Sequence, residues 1–308
     1  MLMVETSKLT KKYSDVTVVD NLNLKIEEGQ IFGFLGPNGA GKTTTILMML
    51  GLTEPNSGTA CIAGFNSTRE PLKVKRITGY IPEKIGFYSD MSAINNLLYT
   101  ANLNGIIGKK ADEVVNQAIE DVGLHDKGRD LVSTYSKGMK QRLAIADILV
   151  KQPKVAFLDE PTSGIDPAGI TQILDLISQI AKKNNMTVVM SSHQLNQVER
   201  ICSHIGIMSK GKLVVEGSIE QLGKKAGGGK FTIEIQLSEI TKEIIEGIKS
   251  VKGVINIEHA ENSLKIVCSE DLRRQISKVI SDNNGLIIQM KLQSYALEDI
   301  YLKYFREA

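Results

Sequence analysis

Nine residues, Gly36-Pro37-Asn38-Gly39-Ala40-Gly41-Lys42-Thr43-Thr44, have the types and spacing of a phosphate-binding P-loop. Its glycines let the backbone wrap a polyphosphate closely, because no Cβ blocks the approach or forbids positive φ. Successive N–H groups then point inward, and a helix starting near Lys42 adds its positive end. Lys42 would reach the β/γ-phosphates, and the Thr43 hydroxyl would ligate Mg2+. Farther along, the apolar run Val155-Ala156-Phe157-Leu158 ends in two acids, Asp159 and Glu160. Alone, such a pair reads as a helix N-terminal charge or as plain surface. Downstream of a P-loop, Asp159 is placed to hold Mg2+ through water, and Glu160 to orient an attacking water.

The elements that must position these groups read as strand, loop and helix. Gln30-Ile31-Phe32-Gly33-Phe34-Leu35 suits a buried strand, and Thr45-Ile46-Leu47-Met48-Met49-Leu50 suits a helix. Upstream, residues 9–13, 16–19 and 22–26 alternate as half-buried antiparallel strands do. Residues 77–81 form a strand stopped by Pro82, and from Ser92 to about Gly123 the pattern turns helical. Ser136 caps a further helix, and Asp166-Pro167 is an N-cap followed by Pro at N1. Thr187-Val188-Val189-Met190 is the next strand, with His193 just past its end. Strands and helices alternating over short links predict a mainly parallel, doubly wound α/β sheet.

An antiparallel β subdomain precedes that sheet and a helical insert over about residues 84–152 interrupts it. Residues 1–222 form the first domain, residues 223–229 a flexible Gly/Lys linker, and residues 230–308 a small α+β domain. Its βαββαβ order reads as ferredoxin-like, and residues 295–305 form a closing amphipathic helix.

Bulk properties narrow the function classes. Thirty-seven basic against 35 acidic residues leave a net charge of +2, without the basic footprint that nucleic acid calls for. Cys61, Cys202 and Cys268 are odd in number and widely spaced, which suggests neither a disulfide framework nor a zinc site. The N-terminus lacks the basic region and apolar core of a signal peptide. No apolar run approaches the roughly 20 residues needed to span a bilayer, so a membrane role must come through a partner chain.

Together these residues resemble the ATP-binding subunits of ABC transporters, across residues 3 to about 222. The discriminating stretch is Tyr135-Ser136-Lys137-Gly138-Met139-Lys140-Gln141-Arg142, which is similar to the family's LSGGQ signature loop. Lys137 and Met139 depart from that consensus. Ser136 and Gly138 match the two residues whose hydroxyl and N–H contact a γ-phosphate in the family. Tyr13 matches the A-loop aromatic that stacks on adenine, and otherwise reads as a strand-end tyrosine. His193, in Ser191-Ser192-His193, matches the switch histidine, and Ser163-Gly164-Ile165-Asp166 resembles the D-loop. Glu83 occupies the Q-loop position, where many members have Gln; it offers oxygen to Mg2+ or water and adds a negative charge. His125, His204 and His259 match nothing. Glu83, the signature variant and the C-terminal Leu297-Glu298-Asp299-Ile300-Tyr301-Leu302 look like the subgroup of ABC-2-type exporter ATPases, which serve drug, antibiotic or sodium efflux.

The resemblance implies a P-loop NTPase with a RecA-like core that uses ATP and Mg2+. Two chains pack head to tail, so each ATP lies between one copy's Lys42 and the other's Ser136, with Asp166 in contact across the dimer. The helical insert carries the closing motion to a separate integral membrane permease, which places the chain on the inner face of the cell membrane. A rival reading is a soluble ABC-type ATPase acting on ribosomes or nucleic acid. One ATPase domain, no heptads and near-neutral charge count against it. A third makes the C-terminal domain a ligand-sensing regulator, although none of its residues names a ligand.

Overall fold

Strand patterning determines which sheet each segment joins. The chain opens with β1 (Leu2–Tyr13) and β2 (Val16–Glu27), where Leu22, Leu24 and Ile26 are buried and the intervening Asn23, Lys25 and Glu27 are exposed. That alternation suits a sheet with one wet face, and the two strands pair antiparallel. By contrast β3 (Ile31–Leu35) is apolar on both faces. It leads through the P-loop into α1 (Lys42–Met49), after which β4 (Ser57–Ile62) and β5 (Phe65–Asn66) return to the antiparallel sheet, in the order β2-β1-β4-β5.

Next come α2 (Pro71–Ile77) and β6 (Thr78–Ile81), then the helices α3 (Ala93–Leu103), α4 (Lys109–Asp121) and α5 (Lys137–Val150). The helical pattern expected over 92–123 is thus two helices. Gly105 and Gly108 take φ of +77° and +59° between them, a left-handed backbone that ends the first and restarts the second. Ser136 caps α5 by accepting the Met139 N–H at 3.2 Å. The fully buried β7 (Val155–Asp159) follows, then α6 (Pro167–Lys183), which Asp166 caps by accepting the Gly169 N–H at 3.2 Å. The first unit closes with β8 (Thr187–Ser192), α7 (Leu195–Ile201), β9 (His204–Ser209) and β10 (Lys212–Ser218).

Six strands form the main sheet in the order β10-β9-β3-β8-β7-β6, with β3, β6, β7, β8 and β9 parallel. Helix α1 lies between the two sheets. Its Ile46, Met48 and Met49 join one buried cluster with Leu22, Leu24 and Ile62 on one side and Phe34, Phe157 and Val189 on the other. In the main sheet Leu35 pairs with Ser192 and Asp159 with Ser191. The loops after β3, β7 and β8 therefore leave the sheet side by side, where open α/β sheets bind ligands.

A computed structural model describes residues 1–226, 231–293 and 297–306, and the chain divides after Gly217 into two compact units. The second begins with α8 (Ile219–Ala226) and continues as β11 (Phe231–Leu237), α9 (Lys242–Lys249), β12 (Val254–Ala260), β13 (Ser263–Cys268), α10 (Arg273–Asp282), β14 (Ile287–Gln293) and α11 (Leu297–Arg306). Its antiparallel order, β12-β13-β11-β14, is the ferredoxin-like one. Ile244, Ile248, Ile276 and Ile280 of α9 and α10 cover Ile233, Ile235 and Ile266 of the sheet. Residues 223–226 of the expected linker belong to α8, which Leu222 anchors as a buried side chain. Residues 227–230, 294–296 and 307–308 of these expected segments lie outside the described residues. Replacing Phe157, buried completely in the first unit's core cluster, by Ala should cost about 3–5 kcal/mol, read as a lower urea midpoint of unfolding. An unchanged midpoint would contradict this packing.

Candidate active site

The P-loop backbone closes on itself before any side chain is considered. Gly41 has φ of +101°, and a Cβ there would stand 2.6 Å from the Val18 carbonyl oxygen, so only glycine fits. Helix α1 starts at the next residue, and the Thr45 hydroxyl donates back to the Gly41 carbonyl at 2.9 Å. Lys42, only 6% exposed, donates through Nζ to the carbonyls of Gly36 at 2.6 Å and Pro37 at 3.2 Å. Burial pushes its ammonium pKa down, against the upward pull of the Glu160, Asp159 and Glu83 carboxylates.

At the end of β7, Asp159 is 2% exposed and its charge is matched by two hydroxyl donors. Thr43 Oγ1 donates to Oδ2 at 2.7 Å, and Ser191 Oγ donates to Oδ1 at 2.5 Å. Ser191 Oγ also accepts the Glu160 N–H at 3.0 Å, while the Glu160 carbonyl accepts the Ser163 N–H at 3.0 Å. Glu160 itself has φ of +49°, a conformation that a non-glycine residue keeps only when its surroundings enforce it. Its carboxylate, 12% exposed, lies between His193 and Lys42. Oε2 is 3.0 Å from His193 Nδ1, and Oε1 is 3.7 Å from Lys42 Nζ.

Val18, residues 38–44, Glu83, Asp159, Glu160, Ser163 and His193 enclose a cleft of about 510 Å³. Two concavities of similar volume, between α4, α5 and α6 and on the second unit's sheet, have no glycine-rich loop with a lysine, a hydroxyl and paired carboxylates. Gly36 and Pro37 lie behind the cleft as acceptors for Lys42. Tyr13, Ser136, Gly138 and Asp166 do not line it. Tyr13 is half exposed with the Lys11 ammonium 5.1 Å from its ring centre, whereas Ser136 and Asp166 are occupied as helix caps. Sequence reasoning named Ser163 only within the D-loop match and passed over Val18 and above all Ser191. The only signal for Ser191 was its place beside His193 at a strand end.

Thr43, Asp159 and Glu83 present hard oxygen donors to the cleft. Among the described residues no group of three or more His, Cys, Asp or Glu side chains could hold a metal by itself. That donor set fits Mg2+, which completes its shell with phosphate oxygens and water rather than with a protein cage.

A glycine-rich loop, its lysine and threonine at a helix head, and a buried strand-end carboxylate bonded to that threonine define a P-loop nucleoside triphosphatase. The fold and the chain's relatives narrow the class. A family model described as "ABC transporter" matches residues 19–163. The bacitracin transport ATP-binding protein BcrA of Bacillus licheniformis is 36% identical over 302 residues, spanning 98% of this chain and 96% of that protein. The linearmycin resistance ATP-binding protein LnrL of Bacillus subtilis is 30% identical, spanning 97% of each. A solved ATP-binding subunit of an ABC transporter superposes with a TM-score of 0.66 at 26% identity, over 73% of this chain and 93% of that one. The chain belongs to the ATP-binding proteins of ABC transporters. Ser191→Ala removes one charge-assisted bond to Asp159 and the support of the Glu160 N–H, and should lower kcat for ATP hydrolysis about tenfold. Steady-state phosphate release measures it, and a loss under about twofold would show that the bond does not matter to the rate.

Proposed function

We propose that this chain is the ATP-hydrolysing subunit of an ABC-2-type exporter, working as a head-to-tail homodimer on a separate membrane permease. The observation that carries this reading is the Glu160 carboxylate, held between His193 and Lys42 next to the Thr43–Asp159 pair. Two whole-length relatives named for bacitracin transport and linearmycin resistance favour an exporter over a regulator of ribosomes. Among the described residues no helix is long and apolar enough to cross a membrane. The transport path then belongs to the permease, and the chain sits on the inner face of the membrane through it.

In this reading the backbone of residues 38–44 and the Lys42 ammonium bind and neutralise the phosphates of ATP. Thr43 and Asp159, with Glu83, would hold Mg2+, which when bound draws charge from the β/γ-phosphates. Glu160 orients the attacking water and takes its proton. His193 steadies that carboxylate and contacts the γ-phosphate. Tyr13 stacks on adenine. Ser136, Gly138 and Asp166 lie outside the chain's own cleft and serve the nucleotide held by the second copy. Each ATP then becomes part of the contact between copies, and hydrolysis releases it.

Glu160→Gln keeps the size of the side chain and removes its basicity. ATP affinity should stay within about threefold while hydrolysis falls by about 100-fold or more. In sedimentation velocity with Mg-ATP this variant should run as a stable dimer. Hydrolysis at the wild-type rate would remove Glu160 from the mechanism, and a monomer under these conditions would contradict the sandwiched dimer.

A further inference from the structure

Gln197 lies outside the cleft, yet its side chain touches both segments that shape it. It stands in the first turn of α7 and is 2% exposed. Its Oε1 accepts the Thr162 hydroxyl at 2.5 Å and the Ser192 hydroxyl at 3.3 Å, and its Nε2 donates to Gln194 Oε1 at 2.8 Å. Ser192 Oγ in turn accepts the Gln194 N–H at 3.0 Å. Thr162, itself buried, follows Glu160 by two residues, and Ser192 directly precedes His193. One buried neutral amide therefore fastens the segment carrying Glu160 to the segment carrying His193. Those two side chains meet at 3.0 Å on the cleft side of the same link. A buried polar network with its donors and acceptors matched restricts its members to one arrangement, and here that arrangement includes the geometry of the His193–Glu160 pair.

We propose that Gln197 is a positioning residue for hydrolysis, setting the His193–Glu160 contact by tying Thr162 to Ser192. The proposal rests on the reading of Glu160 and His193 as the hydrolytic pair. Gln197→Met keeps the length of the side chain and removes its hydrogen bonds, whereas Gln197→Glu keeps an oxygen for the two hydroxyls. Each would be made in the full chain, alone and together with His193→Ala, and single-turnover hydrolysis of labelled ATP would be measured alongside KM and the thermal midpoint.

Gln197→Met should lower the hydrolysis rate about tenfold with KM changed less than about twofold, and Gln197→Glu should recover most of that loss. On the His193→Ala background the Met substitution should cost less than about twofold, because the residue it positions is already gone. An equal loss on both backgrounds, a rise in KM without loss of rate, or a rate that follows the thermal midpoint in both variants would overturn the proposal. A wild-type chain unable to hydrolyse ATP would defeat the parent reading. Wild-type hydrolysis untouched by Gln197→Met would defeat this one alone.

Discussion

A carboxylate buried at the end of a strand must be met by donors, because an unpaired charge there costs several kcal/mol. Asp159 meets that condition with the hydroxyls of Thr43 and Ser191. The rest of the first unit can be understood as what keeps those three side chains together. Thr43 is the second residue of α1, and α1 is fixed by apolar contacts to both sheets. Ser191 is the register partner of Asp159 across β7 and β8. A slip of one residue between those strands would turn every side chain to the opposite face. The continuous burial of both strands is therefore a requirement of the site as well as of the core.

Glu160 shows the same dependence one residue later. Its left-handed backbone is held by Ser191 on the N–H side and by Ser163 on the carbonyl side. The strain serves to turn the side chain out of the strand direction and into the cleft, between His193 and Lys42. A preorganised carboxylate of this kind needs little rearrangement when a nucleotide arrives, which is where electrostatic catalysis draws its advantage. Lys42 is pulled in two directions: burial disfavours its charge, and three carboxylates offset that in part.

Much of this was legible in the sequence because the chemistry is local. The P-loop needs glycine where the backbone comes close, so its composition betrays it. The Asp159–Glu160 pair stands out against four apolar residues, and Asp166-Pro167 announces a helix start. Other features were hidden for definite reasons. Helix α7 is seven residues long, too short to show a clear period. The residues 223–226 look like linker by composition, but Leu222 anchors their helix. Ser191 reads as an ordinary strand serine until its register partner is known. Nothing in a separation of 35 residues links Thr162 to Gln197. Chain-local chemistry can be read from residue types, whereas cross-strand and cross-loop partnerships need the fold.

In the proposed function Thr43 and Asp159 form one divalent-metal and phosphate site at the head of α1. Equilibrium binding of ATP, with Mg2+ and with chelator, tests it most directly when the wild-type chain is compared with Asp159→Asn. Mg2+ should tighten wild-type binding by about tenfold or more and that of Asp159→Asn by less than about twofold. An equal response to Mg2+ in both proteins would contradict the account.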